Sequence, residues 1–86
     1  MTYHLIILPK AIEDLSKIDK AIAQRVTDKL TWLSENIEIM PLLPLTGSFS
    51  GFYKLKAGDW RIIYEVNHND KIISVHKVGH RRVIYR

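Results

Sequence analysis

The chain has 86 residues, 47% of them apolar, with 13 lysines and arginines against 9 aspartates and glutamates, for a formal net charge of +4. That length makes one small domain, residues 1–86, with a modest core, and the apolar fraction is that of a folded protein rather than a disordered one. The absence of cysteine excludes disulfides, thiolate nucleophiles and cysteine-based zinc sites, and it fits a reducing cytosol, so a cytoplasmic location is the expectation.

The first ten residues, MTYHLIILPK, hold a short apolar run without a basic flank or a cleavage site, and read as no signal peptide. No apolar stretch approaches the ~18 residues that would suggest a membrane span. Tyr3 to Leu8 is β-branched and aromatic and reads as a first strand. Pro9 ends it and can open a helix at its first turn, where Ile12, Leu15 and Ile18 recur at helical spacing. Asp19 is placed to cap a second helix, whose Ile22, Val26, Leu30, Leu33 and Ile37 form one apolar stripe opposite Lys20, Gln24, Asp28, Lys29 and Glu35. Trp32 lies off that stripe and reads as an edge of the core or, alternatively, a partner-binding anchor.

Two prolines, two glycines and two serines in MPLLPLTGSFSG, Met40 to Gly51, argue against a regular element there. Its leucines are expected to tuck under a sheet. The period then changes. Phe52 to Lys56, Trp60 to Asn67 and Lys71 to Val78 read as three strands, joined by the turn-forming Ala57-Gly58-Asp59 and His68-Asn69-Asp70. Short joints between successive strands mean antiparallel hairpins. The predicted architecture is therefore α+β, in the order β-α-α-β-β-β, an antiparallel sheet with two helices packed on one face and the other face left free.

The positive charge concentrates in the second half, where Lys54, Lys56, Arg61, Lys71, Lys77, Arg81, Arg82 and Arg86 face only Asp59, Glu65 and Asp70. Such a field suits an anionic partner. A hairpin turn over Ala57 to Trp60 sets Lys56 opposite Arg61. Cross-strand neighbours share a face, so Lys54, Lys56 and Arg61 gather on the side away from Leu55 and Ile62, which face the helices. A one-residue slip would scatter them, and ordinary solvent-facing charge remains the alternative at this point. His76 and His80 are four apart; on a strand that is roughly 13 Å, too far to share an ion, and no cysteine or carboxylate cluster adds ligands, so no metal and no cofactor are expected. His80 stays open as an acid or base, because imidazole titrates near neutrality. His4 and His68 read as surface or strand-edge residues, Asp59 as a turn residue, and Glu65 as the partner of a nearby lysine.

The stretch YKLKAGDWRIIYEV from Tyr53, together with KVGHRRVIYR at the end, resembles the RelE/ParE superfamily of toxins from type II toxin–antitoxin pairs, and most closely its RelE branch of messenger-RNA-cleaving toxins. The resemblance rests on the combination of Lys-x-Lys, Gly-Asp-aromatic-Arg, Val-Gly-x-Arg and a near-terminal tyrosine, on Leu45-Thr46-Gly47, and on the element order of the RelE-like microbial RNase fold. It implies a ribosome-dependent, metal-independent endoribonuclease that cleaves messenger RNA in the A site by 2′-hydroxyl attack and so stops translation. Carried over residue by residue, it implies Lys56 as base with Lys54 holding phosphate, and Arg61 stabilising transition-state charge. It implies Arg81 at the leaving oxygen and Tyr85 stacking on a base, though the spacer from Arg81 to Tyr85 is short for the family. Arg82 and Arg86 are general phosphate contacts or plain surface charge. Lysine and arginine ordinarily titrate far above neutrality, so substrate positioning must supply much of the rate. The implied partners are messenger RNA, the ribosome with its ribosomal RNA, and a small RelB-like cognate antitoxin, with no membrane. Two other classes stay open: a gyrase-inhibiting toxin of the ParE branch, and a non-catalytic RNA- or protein-binding domain.

Overall fold

A computed structural model describes residues 2–85. Strand β1 (His4–Ile7) runs into helix α1 (Pro9–Ser16) through an extended Leu8, with proline supplying the fixed φ of the first turn in place of a side-chain cap. Helix α2 (Lys20–Asn36) starts as expected at Asp19, whose carboxylate accepts the Ala21 N–H at 3.0 Å. Val26, Leu30, Leu33 and Ile37 of its stripe are buried and Ile22 packs against them. Trp32 is not part of this core: it is 42% exposed on the outer side of α2, with the Lys29 ammonium 4.5 Å from its ring centre.

The remaining strands are β2 (Leu43–Pro44), β3 (Tyr53–Ala57), β4 (Trp60–Asn67) and β5 (Ile72–His80). The sheet order is β1-β5-β4-β3-β2. Three expectations need correction. The sheet is mixed rather than antiparallel, because β1 lies parallel to β5, with Leu5 beside Ile73 and Ile7 beside Val75; two helices and three strands intervene, more than the crossover a parallel pair requires. The segment from Met40 to Gly51 is not wholly irregular either. Leu43 and Pro44 pair with Lys54 and Tyr53 as a two-residue edge strand, a position where proline costs no ladder bond, and Gly47–Phe49 forms a 3₁₀ turn. Finally, Lys71 sits in the turn before β5, with φ 56°, and the strand continues past Val78 to His80.

Both helices cover one face of the sheet. Leu55, Ile62, Tyr64, Ile73, Val75 and Val78 meet Ala11, Val26, Leu30, Leu33 and Ile37 there. Each such aliphatic side chain contributes ~1.5–3 kcal/mol on burial, so this face carries most of the stability. The apolar positions of β5 are spaced by two and then by three, at Ile73, Val75 and Val78. The register explains why: Tyr64 faces Val75 while Ile63 faces Lys77, leaving His76 as the extra residue of a bulge. The bulge reverses the alternation, so Val78 enters the core, and Lys77 and Gly79 turn to the opposite face. Beyond the end of β1 the edge of β5 is capped by α1, where the Asp14 carboxylate accepts the Val78 N–H at 3.0 Å and the Lys10 ammonium at 2.8 Å. Among the described residues no helix is long and apolar enough to cross a membrane.

Candidate nucleic-acid interface

The expected register is observed. Lys56 lies opposite Arg61, Leu55 opposite Ile62 and Lys54 opposite Ile63. Gly58 takes φ 61° at the first position of the two-residue loop, where glycine bears a positive φ without a Cβ penalty. Directly opposed residues stand ~4.5–5.5 Å apart at Cβ, and alternate residues of one strand about 6.6 Å apart. Lys54, Lys56 and Arg61 therefore form one tight group on the face away from the helices. Among the described residues neither lysine of the pair has a carboxylate partner. One terminal nitrogen of Arg61 donates to the Gly58 and Trp60 carbonyls at 2.7 and 3.0 Å, which fixes the guanidinium at the hairpin end and leaves its other N–H groups for an acceptor.

That face is not free, contrary to the sequence reading. After His80 the chain turns, with the Val83 and Ile84 N–H groups both donating to the His80 carbonyl at 3.0 Å. Ile84 folds back onto Gly79 and is 3% exposed; a Cβ on Gly79 would stand 2.7 Å from Ile84 Cδ1. The Lys77 ammonium donates to the Ile84 carbonyl at 3.0 Å. Tyr85 then meets Phe49 of the 3₁₀ turn edge-on, ring centres 5.9 Å apart. With Leu45, Thr46, Phe49 and Lys54 it lines a groove of about 380 Å³. The short spacer after Arg81 is thus a single tight turn, and it brings Tyr85 back to the lysine strand.

Arg81 stands at the other end. Its N–H donates to the Asp59 carbonyl at 2.8 Å, and its Nε lies 3.7 Å from the Asp59 carboxylate. Both partners are largely exposed, so the ion pair directs Arg81 more than it stabilises the fold. Arg61 and Arg81 are thereby both tethered to the Gly58–Trp60 turn. Arg82 is exposed, and its N–H donates to Nδ1 of His80 at 3.2 Å. His80 itself pairs with Trp60, ring centres 5.6 Å apart, and Trp60 packs on the core. The structure therefore places His80 on the helix side of the sheet, apart from the cations. Arg86 lies outside the described residues. Glu65 bonds His76 at 2.8 Å rather than a lysine, and His68 bonds the Tyr3 hydroxyl at 3.0 Å.

Three residues that shape the interface escape a reading by strict alternation. Asp59, taken as a turn residue, also orients Arg81. Phe49, hidden in an irregular segment, walls the groove. Lys77 joins the cation face through the bulge, and the three-residue step from Val75 to Val78 was the signal for it. Together the elements make a basic, partly apolar trough ending in an aromatic ring, suited to phosphates and an unstacked base.

A five-stranded mixed sheet with two helices over one face is the fold of the solved RelE toxins. Residues 5–85 match the family described as ParE toxin of type II toxin–antitoxin system, parDE, and the chain belongs to this family, within the RelE/ParE superfamily. A RelE-like toxin protein of Escherichia coli is 34% identical over 82 residues, covering 94% of this chain and 85% of that protein. Among solved structures, the toxin–antitoxin complex RelBE2 from Mycobacterium tuberculosis superposes with a TM-score of 0.85 at 22% identity, covering 94% of this chain and 93% of that one. The archaeal RelE–RelB complex from Pyrococcus horikoshii gives 0.75 at 29% identity, covering 94% and 97%. A mutant of the E. coli toxin RelE in the free state gives 0.77 at 23% identity, covering 99% and 90%. The likeness at 22% and 23% identity is one of fold.

Proposed function

We propose that this toxin is an endoribonuclease that cuts messenger RNA held in the ribosomal A site and so halts translation. The observation that carries the reading is the grouping of Lys54, Lys56 and Arg61 on one sheet face, with Tyr85 returned to Lys54 by the C-terminal turn and Arg81 tethered to Asp59 at the hairpin end beside Arg61. In the reaction Lys56 serves as the base toward the ribose 2′-hydroxyl, whose oxygen attacks the adjacent phosphorus. The negative charge that builds on the phosphorane is met by Arg61, whose free N–H groups form a fork suited to phosphate oxygens. Lys54 holds the phosphate. Arg81 stabilises the departing 5′-oxygen until water gives it a proton, leaving a 2′,3′-cyclic phosphate on the other fragment, and Tyr85 stacks on a base to set the in-line geometry. No residue of this set is a natural proton carrier at neutral pH, which is why orientation of the message by the ribosome matters and why free RNA should be a poor substrate.

The cognate antitoxin is a small RelB-like protein, as in the complexes the fold resembles, and its acidic and apolar side chains would cover the cations or displace the turn Arg81–Tyr85. A cytoplasmic site of action follows from a ribosomal substrate. The match to the ParE family favours a second reading, a gyrase-inhibiting toxin that leaves RNA intact. In vitro translation with wild-type protein and with Arg61→Ala/Arg81→Ala, followed by primer extension on the message, separates the two. Cuts within codons that vanish in the double variant support the nuclease. Intact messages in the extract, with DNA synthesis stopping first in cells, would establish the gyrase reading instead.

A further inference from the structure

Phe49 has two sides. One faces the groove with Lys54 and Tyr85; the other walls a separate hollow of about 330 Å³, lined by Lys10, Ser48, Phe49, Phe52, Ile63, His76 and Lys77. None of Lys10, Phe52 and His76 takes part in the reaction described above. The floor is Ile63, 1% exposed although it lies on the face away from the helices. Phe49 and Phe52 are half-buried walls, and the Phe52 ring is braced edge-on by His76 at 4.8 Å between centres. His76 is in turn held by Glu65 at 2.8 Å. Two cations border the hollow. The Lys77 ammonium lies 5.6 Å from the centre of the Phe49 ring, and Lys10 extends from the first turn of α1, its ammonium paired with the Asp14 carboxylate, an exposed pair that a phosphate would have to share.

We propose that this hollow receives a second, unstacked nucleobase of the single-stranded RNA, flanking the nucleotides at the cut, with Lys10 and Lys77 on its phosphate. The inference rests on the endoribonuclease reading and extends it to a flanking subsite. Three features point to this occupant. An apolar floor between two aromatic walls is what a base needs once it leaves its stack, and rim cations are what its backbone needs. The hollow adjoins the groove, with Ser48 and Phe49 as their common wall. The row Lys54, Ile63, Lys77 crosses β3, β4 and β5, a span of two strand spacings, about 10 Å, which a stretched dinucleotide bridges. Lys77 keeps its charge available: it donates to a carbonyl, not a carboxylate.

The test uses full-length toxin, Phe52→Leu, Lys10→Gln and both together, each checked for an unchanged melting temperature. Uncleavable 2′-O-methyl trinucleotides and pentanucleotides serve as binding probes, and cut positions are mapped across messages in a translating extract. Extension on one side of the cut should raise wild-type affinity about tenfold, the worth of one stacked base. The variants should lose that increment, so that long and short probes bind alike. In the extract they should lose wild-type base preference at one flanking position, with cutting at the preferred sites falling about tenfold. Wild-type protein that cuts no message overturns the nuclease reading and the subsite with it. Wild-type protein that cuts, with variants of identical probe increment and cut profile, overturns the subsite alone. Variants that keep the increment but weaken binding of the antitoxin's acidic segment assign the hollow to a protein contact and also overturn it.

Discussion

The two faces of this sheet are built from the same three strands and differ in almost every other respect. The helix face is apolar and buried, and its side chains are fixed by packing. The other face has its own small apolar patch, Ile63 beside Phe49 and Ile84 on Gly79. Around that patch, cations are held by carbonyls or a turn aspartate, and among the described residues Lys54 and Lys56 have no carboxylate partner. One face secures the fold and the other carries the exposed positive charge. The separation is not perfect. The Tyr64 hydroxyl is buried without a hydrogen-bond partner, the only such side-chain atom among the described residues, in the middle of the stabilising face. Burial of the phenol pushes its pKa up to about 12.

If the faces divide the work this way, changes on each should move one observable and spare the other. The largest effect is expected from Arg61→Ala/Arg81→Ala. Loss of one preorganised donor to a developing anion costs roughly 10²–10³ in rate, so message cutting in a translating extract should fall by at least that factor while the melting temperature stays put. A collapse of the melting temperature would mean that these arginines belong to the fold. Leu30→Ala on the helix face should do the reverse, removing about 2–5 kcal/mol of stability in denaturant titration; the fraction still folded should keep its cutting activity.

Smaller effects sharpen the boundary. Gly79→Val crowds Ile84, whose Cδ1 would stand 2.7 Å from the new Cβ and must shift even before the valine methyls are added. Tyr85 should then lose its place beside Phe49, seen as altered tyrosine fluorescence and about tenfold weaker cutting, with the sheet intact by circular dichroism. Asp59→Asn keeps the backbone bond to Arg81 and removes only the exposed ion pair. A three- to tenfold loss of activity and a stability change below about 1 kcal/mol are expected.

The smallest change tests the flaw in the helix face. Tyr64→Phe deletes a buried hydroxyl that bonds nothing, and should leave the protein as stable or about 1 kcal/mol more stable. It should also flatten the alkaline limb. In the wild type the folded chain keeps the Tyr64 proton up to about pH 12, whereas the unfolded chain releases it near the ordinary value of 10. Between those values the folded state binds more protons, so stability falls as pH rises. Denaturant titrations of both proteins across that window check the sign; parallel curves would show that another group is responsible.

Several features were legible because they depend on local rules. Proline after a strand, aspartate before a helix and a stripe at spacings of three and four each act over one or two turns of chain, and α1, α2 and the Val26–Ile37 stripe lie where those rules put them. The Lys56–Arg61 pairing was legible for a similar reason: a two-residue loop with glycine admits little freedom of register. The parallel seat of β1 against β5 was not, since nothing local to Tyr3–Leu8 says which distant edge it will join. Nor was the crowding of the cation face. Phe49 and Tyr85 are 36 positions apart in sequence, and their meeting depends on where the 3₁₀ turn and the C-terminal turn both land on the sheet.

By itself, then, the sequence determined which residues could form helices and hairpins, and that lysines and arginines would alternate out of the core along β3 and β4, because backbone sterics and apolar periodicity act within a few residues. Tertiary structure alone decided which of those charges became neighbours of Tyr85. The bulge at His76 turned Lys77 and Gly79 outward, and the missing side chain at Gly79 let Ile84 seat there and carry Tyr85 across the sheet. Such decisions rest on close contact between segments far apart in the chain, where a single Cβ, or one extra residue in a strand, selects the face on which a side chain appears.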